Sequence, residues 1–483
     1  MLLVAVGGVA LALAFPEPSV TPLAWVALVP LLLGARRRSA ALGFALGAVF
    51  GVGFFGLLIV WISLVGWVAW AVLVALQALY IGAFGACWAM VSRRRSVTAR
   101  VLLGAACWVG IEYLRSRFPA EGFSWGQLAQ SQHNLGWILR LAPVTGGWGI
   151  GFLLVAVNAL VAEGWLWIRA GERRAAAEAL GTALVLVAGP ALLPQPLAEG
   201  SRLRVAIAQG NVARGFPADL VARQTAILRR HERLTKSLAG RPLDLVVWPE
   251  SSVELDLPGD PAPIERLRAS ARSVSADLIA GVNDDVSSGL YRVLALHVDP
   301  HGGVAGRYQK MHRVPFGEYI PARRLLEWIP LLDQIPRDAL PGEAPGVFDL
   351  SAGKVAVVIS FEGDFGSLVR EPIATGGRLL VVATNTSTWG RSWASAQHLA
   401  FSQVRAAENA VWVVHGALSG ISAFVAPDGA VVASTPLWTE TTLLHGVRFS
   451  TSETLYTRYG DFVAWLSLVV AITGVLASSR RPL

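Results

Sequence analysis

The sequence predicts a multi-span α-helical membrane domain joined to an external α/β domain, and three observations predict it. Apolar residues make up 54% of the 483 positions against 15% charged, with a mean hydropathy of +0.51, too apolar for a soluble chain. The nearly uncharged stretches crowd into residues 1–195. From Arg202 onward the period changes, and short β-branched runs alternate with longer helical patterns, which is α/β grammar.

A bilayer core takes about 20 apolar residues per helix. About eight spans are expected on that basis, at residues 2–15, 23–34, 40–64, 67–91, 101–113, 147–168, 176–193 and 462–477. The first is read as a span rather than a signal peptide, because no Lys or Arg precedes it and further spans follow at once. Arg36, Arg37 and Arg38, then Arg93, Arg94 and Arg95, then Arg169, Arg173 and Arg174, and finally Arg480 and Arg481 fall after alternate spans. Basic loops are held on the cytoplasmic side, so both termini are expected inside and the large loop after the seventh span outside. The net charge of +8 is then mostly topogenic, and no nucleic-acid partner is expected.

Gly43, Gly47 and Gly51 have the spacing that lets membrane helices approach closely. Gly146, Gly147, Gly149 and Gly151 are read the same way, since no strand precedes them as a nucleotide-binding loop requires. Cys87 and Cys107 both lie inside expected spans, so neither a disulfide framework nor a zinc site is expected.

In the external domain, strands are expected at 203–208, 243–248, 278–281, 293–298, 304–308, 355–359, 379–383, 411–415 and 422–426. Helices are expected at 217–238, 263–275, 365–375 and 392–409, with Pro427, Asp428 and Gly429 forming a hairpin turn. A run such as Val355 to Ile359 is apolar throughout, which fits a sheet buried on both faces. A sandwich of two sheets covered by helices accounts for this order.

Ligands of α/β sheets bind beyond the carboxyl ends of strands, and three such ends carry polar chemistry. One run ends in Trp248, Pro249 and Glu250; a second in Gln309 and Lys310; a third in Ser360, Phe361 and Glu362. Singly, each has an ordinary explanation: a solvated carboxylate, a surface lysine, a helix-capping serine. Together they supply a base, a cation for an oxyanion and a nucleophile, the set that acyl transfer needs. No metal-ligating spacing or cofactor motif is found, so neither a metal nor a cofactor is expected.

The stretches Gln209-Gly210-Asn211, Trp248-Pro249-Glu250-Ser251, Tyr308-Gln309-Lys310, Val314-Pro315-Phe316-Gly317-Glu318-Tyr319-Ile320-Pro321, Ile359-Ser360-Phe361-Glu362, Thr384-Asn385-Thr386-Ser387-Thr388-Trp389-Gly390 and Arg405-Ala406-Ala407-Glu408-Asn409 resemble the apolipoprotein N-acyltransferases. Residues 112–132 resemble that family's external loop between two spans. The resemblance runs in order over essentially the whole chain. It implies membrane helices over 1–195, an external nitrilase-like αββα catalytic domain over 200–460, and a last helix with a cytoplasmic tail over 461–483. By the same resemblance Glu250 is the general base, Lys310 stabilises the oxyanion, Glu318 supports them, Ser360 occupies the nucleophile position and Glu362 matches a further glutamate of the site. The implied reaction moves an acyl chain from a phospholipid, through an acyl-enzyme, to the N-terminal amine of a lipoprotein that already carries diacylglycerol. The implied setting is the bacterial cytoplasmic membrane, with the catalytic domain on its outer face and the protein a monomer.

One departure bears on activity: the family's nucleophile is cysteine, and this sequence has Ser360. A serine hydroxyl needs a base to take its proton, whereas a thiol is partly ionised near neutral pH. Three readings follow: a working serine, a silent lipid- or lipoprotein-binding homologue, or an engineered cysteine-to-serine exchange. A membrane-tethered amidase is a further enzyme reading. For substrate contact, Arg323 and Trp328 in the segment 323–332 suit lipid phosphates and the headgroup boundary. Trp389 and Trp393 suit an acyl pocket or a filled core, Phe361 is a further substrate-contact candidate, and the 323–332 segment would equally serve as a loop packed on its own domain.

Overall fold

A computed structural model describes residues 1–212, 219–255, 262–326 and 328–479, without the side chains of Leu220, Pro330 and Leu331. Arg480, Arg481 and the expected helix start at Pro217 lie outside the described residues, as does the Leu331 side chain of the segment read as lipid-facing. The chain divides into two compact units, Met1–Gln195 with Ser392–Ala400 and Tyr459–Leu483, and Pro196–Arg391 with Phe401–Arg458.

In the first unit, five helices among the described residues are long and apolar enough to cross a membrane: Ala40–Leu58, Trp67–Val91, Val97–Arg115, Ala142–Arg169 and Arg173–Leu192. The expected first, second and eighth spans are shorter apolar helices. The second is also broken, into a 3-10 turn at Thr21–Trp25 and a seven-residue helix Val29–Ala35. Pro22 and Pro30 each open one of these pieces, where the missing N–H is not needed. Asn158 serves the backbone released by the break, accepting from Leu28 N at 3.0 Å and donating to Ala24 O at 2.9 Å. Lipid offers no such partners.

The glycine spacing has the packing consequence expected of it. A Cβ on Gly47 would stand 2.2 Å from the Ile81 carbonyl oxygen, so helices Ala40–Leu58 and Trp67–Val91 meet backbone to backbone. Arg100 holds Glu163 through two hydrogen bonds of 2.7 and 2.6 Å, and Arg36 adds two more of 3.2 Å. The 112–132 segment, read from sequence as an external loop, is largely buried, with Ser124, Gln127, Gln130, Ser131 and Gln132 all inside. Charges at the end of helix Val97–Arg115 fix it. Arg115 donates to the carbonyls of Phe123 at 2.8 Å and Trp125 at 2.7 Å, and Glu112 accepts from Leu128 N at 3.0 Å.

The second unit contains strands β1 (Arg202–Gln209), β2 (Leu245–Glu254), β3 (Asp277–Ser287), β4 (Leu290–Val298), β5 (Val304–Gln309), β6 (Asp338–Ala339), β7 (Gly346–Leu350), β8 (Gly353–Ile359), β9 (Leu380–Thr384), β10 (Val413–Ala417), β11 (Ala423–Val425), β12 (Val431–Ser434) and β13 (Thr441–Arg448). One sheet runs β13-β1-β2-β3-β4-β5 with β6 on β4, and the other β12-β11-β10-β9-β8-β7. The central pairs β1/β2, β2/β3, β8/β9 and β9/β10 are parallel. Their inner faces, including Val205, Val247, Ile279, Val357, Val381 and Val414, share one buried core. The outer face of the first sheet, including Val246, Leu278 and Leu296, packs on Leu228, Leu267, Ala271 and Val274 of helices Leu220–Lys236 and Pro263–Val274. All nine expected strands are present, and β2 and β3 run on well past their expected ends, to Glu254 and Ser287. Four were not expected: β6, β7, β12 and β13, which are short or lack an apolar run. A leucine at Gly47 forces two packed helices apart, so Gly47→Leu is expected to destabilise the protein by roughly 1–3 kcal/mol, read as a lower melting temperature in detergent.

Candidate active site

The first catalytic candidate stands in a bulge rather than beyond a strand end. In β2, Trp248 pairs with Ala280 and Val253 with Val282, so four residues of β2 oppose the single Gly281. Such an excess kinks the strand and re-aims its side chains. Ser251 takes a φ of 60° within it. Gly281 is required opposite, because a Cβ there would lie 2.4 Å from the Pro249 carbonyl oxygen. The bulge turns Glu250 inward, where it is buried instead of solvated as a strand end would be.

Sequence reasoning gave no role to the residue that fastens this bulge. His231, fully buried, has its ring 2.9 Å from the Ile227 carbonyl through Nδ1, which leaves Nε2 as an acceptor. Nε2 takes the Gly210 N–H at 3.2 Å and contacts Ser252 Oγ at 3.2 Å, and Ser252 donates to the Pro249 carbonyl at 2.6 Å. One neutral imidazole thus ties β1's end to the bulge of β2. In sequence its only signal is an apolar-faced helix carrying a histidine, which is usually a core residue.

Lys310 follows β5 and is buried beside Glu250 and Glu318. Its Nζ donates to Glu250 Oε1 at 3.1 Å and to Glu318 Oε1 at 2.6 Å, and Glu318 Oε2 accepts from Val314 N at 2.8 Å. Burial by itself lowers an ammonium pKa, but the two carboxylates outweigh it and hold Lys310 above its usual range. Burial raises the Glu250 carboxyl; Lys310 opposes the shift, Glu318 adds to it, and Ser360 opposes it.

Ser360 begins the 3-10 turn Ser360–Asp364 that follows β8. Its φ of 49° is uncommon for a residue with a side chain. The hydroxyl lies 3.1 Å from Thr384 Oγ1 at the end of β9 and stands near enough to Glu250 to hold that carboxyl's pKa down a little. Glu250, Lys310 and Glu318, far apart in sequence, are therefore joined by hydrogen bonds, and Ser360 stands beside Glu250.

Glu362 belongs to the same region in another capacity. Its carboxylate accepts from Tyr308 OH at 2.8 Å, Met311 N at 2.7 Å, His312 N at 3.0 Å and Ile359 N at 2.7 Å. With its acceptor positions so occupied, it braces the segment after β5 against the end of β8. Sequence reading grouped it with the catalytic residues; its geometry is that of a clamp. The His312 ring packs 4.2 Å from Phe365 and 5.6 Å from Phe361 between centroids. Burial, then the charges of Lys310 and Arg313, lower its pKa to about 4, so it is neutral at physiological pH.

The substrate-contact candidates divide. Phe361 is buried beside Ser360, Trp389 is half-buried, and Trp328 is 78% exposed. Arg323, expected to offer its charge to lipid phosphate, is instead paired with Asp338 at 2.9 and 2.5 Å and donates to the Ile335 carbonyl at 2.9 Å. A guanidinium committed in this way fixes its own loop.

The N-terminal domain profile of apolipoprotein N-acyltransferases matches residues 7–160, and the carbon-nitrogen hydrolase profile matches residues 204–456. An apolipoprotein N-acyltransferase of Geobacter metallireducens is 33% identical, the match covering 99% of this chain and 95% of that protein. The chain belongs to the apolipoprotein N-acyltransferase family. A second family member, from Gloeobacter violaceus, is 31% identical over 99% of this chain and 93% of its own. Among solved structures, a variant of a nitrilase-superfamily amidase from Nesterenkonia matches 53% of this chain and 94% of its own, at 20% identity and a TM-score of 0.39.

Burial lowers the His231 pKa to about 4, against an unperturbed value of about 6.5. Below pH 6.5 the unfolded chain binds the proton that the folded chain refuses, so stability is present above that pH and is lost as pH falls towards 4. His312 acts in the same direction. The melting temperature is expected to fall over that window, and His231→Gln, which keeps an acceptor for Gly210 N–H without a titrating ring, should flatten the fall.

Proposed function

We propose that this protein transfers an acyl chain from a phospholipid to the N-terminal amine of a diacylglyceryl-modified lipoprotein, with Ser360 as the nucleophile that carries the acyl group as an oxygen ester. The observation that carries this reading is the placement of Ser360 beside the Glu250 carboxyl, which Lys310 holds in turn at 3.1 Å. It gives the serine the base that a hydroxyl nucleophile requires. The names of the relatives supply the lipoprotein acceptor.

Glu250 takes the Ser360 proton as Oγ attacks the ester carbonyl. Lys310 has three N–H donors, and Glu250 and Glu318 engage two of them. The third serves the tetrahedral oxyanion. Glu318 holds the ammonium in place, and Glu362 holds the turn that presents Ser360. Phe361 and Trp389 line the acyl chain in this reading. The exposed Phe316, Leu325 and Trp328 support contact of the external domain with the membrane surface, which favours a lipid substrate over the small carboxamide of an amidase. Three further parts of the reading rest on the alternation of basic loops: both termini are cytoplasmic, residues 200–460 lie on the outer face of the bacterial inner membrane, and residues 461–483 return across it. The protein acts as a monomer without a cofactor.

Intact-protein mass spectrometry after incubation with phospholipid vesicles tests the reading. An acyl adduct on Ser360 is expected, and Glu250→Gln should slow its formation about 10²-fold or more. An adduct seen only after Ser360→Cys would show that the serine stalls a competent scaffold. Absence from both chains would sink the enzyme reading in favour of a lipid- or lipoprotein-binding role. Since burial raises Glu250, which must be ionised to act, the acylation rate should fall with decreasing pH at a midpoint above the ordinary glutamate value of about 4.3.

A further inference from the structure

We infer that Thr384 is a catalytic residue, its hydroxyl donating to Ser360 Oγ while the serine's own proton goes to Glu250. The assignment rests on the serine-nucleophile reading and adds to it a residue acting on the reacting atom. Thr384 closes β9, is fully buried and places Oγ1 3.1 Å from Ser360 Oγ. Distance alone leaves the donor open. Proton accounting closes it: a hydroxyl has one proton and two acceptor positions, and a carboxylate in contact with Ser360 can only accept. With the serine proton directed to Glu250, the proton between the two hydroxyls belongs to Thr384.

The fold holds the threonine for that purpose. Its backbone pairs with Ala417 across β9 and β10, and its carbonyl accepts from Leu418 N at 3.1 Å. β-branching restricts its χ1. Ser360 is presented from a turn braced by Glu362, so both hydroxyls approach from clamped backbone.

The donated hydrogen bond acts wherever charge develops on Oγ. In the first half-reaction the Oγ–H proton passes to Glu250, a bond forms between Oγ and the acyl carbon, and the ester bond to the glycerol oxygen breaks. That oxygen takes the proton from Glu250 and leaves as lysophospholipid. In the second half the acceptor amine attacks the acyl carbon and yields its proton to Glu250. The bond between Oγ and the acyl carbon then breaks, and Oγ recovers the proton. A serine oxygen bears concentrated charge in both steps and gains most from a fixed donor. A thiolate, diffuse and a weak acceptor, gains little. The weight of Thr384 should therefore depend on the atom at position 360.

The test is the rate of acyl-adduct formation on the full-length protein with vesicles of phosphatidylethanolamine and phosphatidylglycerol. It is measured for the unsubstituted chain, Thr384→Val, Thr384→Ser, Ser360→Cys and the double variant Thr384→Val with Ser360→Cys. A hydrogen bond to a charged partner implies a loss of about 10- to 100-fold for Thr384→Val, with Thr384→Ser keeping most of the rate. In the Ser360→Cys background, Thr384→Val should change the rate by no more than about threefold, a non-additivity that a packing role would not produce. Equal losses in both backgrounds, or no loss with serine in place, would overturn the assignment. An adduct on Ser360→Cys but never on the unsubstituted chain would remove the serine-nucleophile reading itself, and the role of Thr384 with it.

Discussion

One buried ammonium shared by two carboxylates organises the chemistry of the second unit. Lys310 neutralises only part of the charge of Glu250 and Glu318, in a place where an unpaired ion would be costly. The cation is held charged, while Glu250 titrates above the usual range because burial and Glu318 work against its ionisation. A single arrangement thereby combines a stable cation with a carboxyl of raised pKa. Removing Lys310 would leave two carboxylates without the cation that both contact.

The backbone around this cluster departs from regular geometry where the cluster requires it. The bulge of β2 turns Glu250 inward, Gly281 makes room for it, and His231 fastens it to the end of β1. The turn after β8 holds Ser360 at positive φ, and Glu362 ties that turn to the segment following Lys310. Both distortions are met by buried hydrogen bonds, so the side chains that matter are positioned by backbone that has little freedom to relax.

The first unit obeys the same constraint in an apolar setting. Its broken second helix is completed by Asn158, Arg36 and Arg100 converge on Glu163, and the segment after helix Val97–Arg115 is fastened by Glu112 and Arg115. Where regular helix stops, a polar side chain replaces the missing intrahelical bonds.

The order of elements was legible because helix and buried parallel strand write different periods into a chain. The cluster of Glu250, Lys310 and Ser360 was also legible, since polar residues closing apolar runs stand out locally. β13 escaped notice because its pairing with β1 joins residues more than 200 positions apart, and β6 and β7 because edge strands need no continuous apolar run. The broken second span was hidden because average hydropathy does not register where a proline interrupts a helix. Glu362 as a clamp, His231 as a fastener and Thr384 as a partner of Ser360 were decided only by tertiary structure. Each draws its role from donors or acceptors on distant segments, and an isolated residue in a sequence carries no mark of what will face it. The sequence by itself determined the period of each element and the chemical types at the strand ends; folding decided which of those groups share a proton.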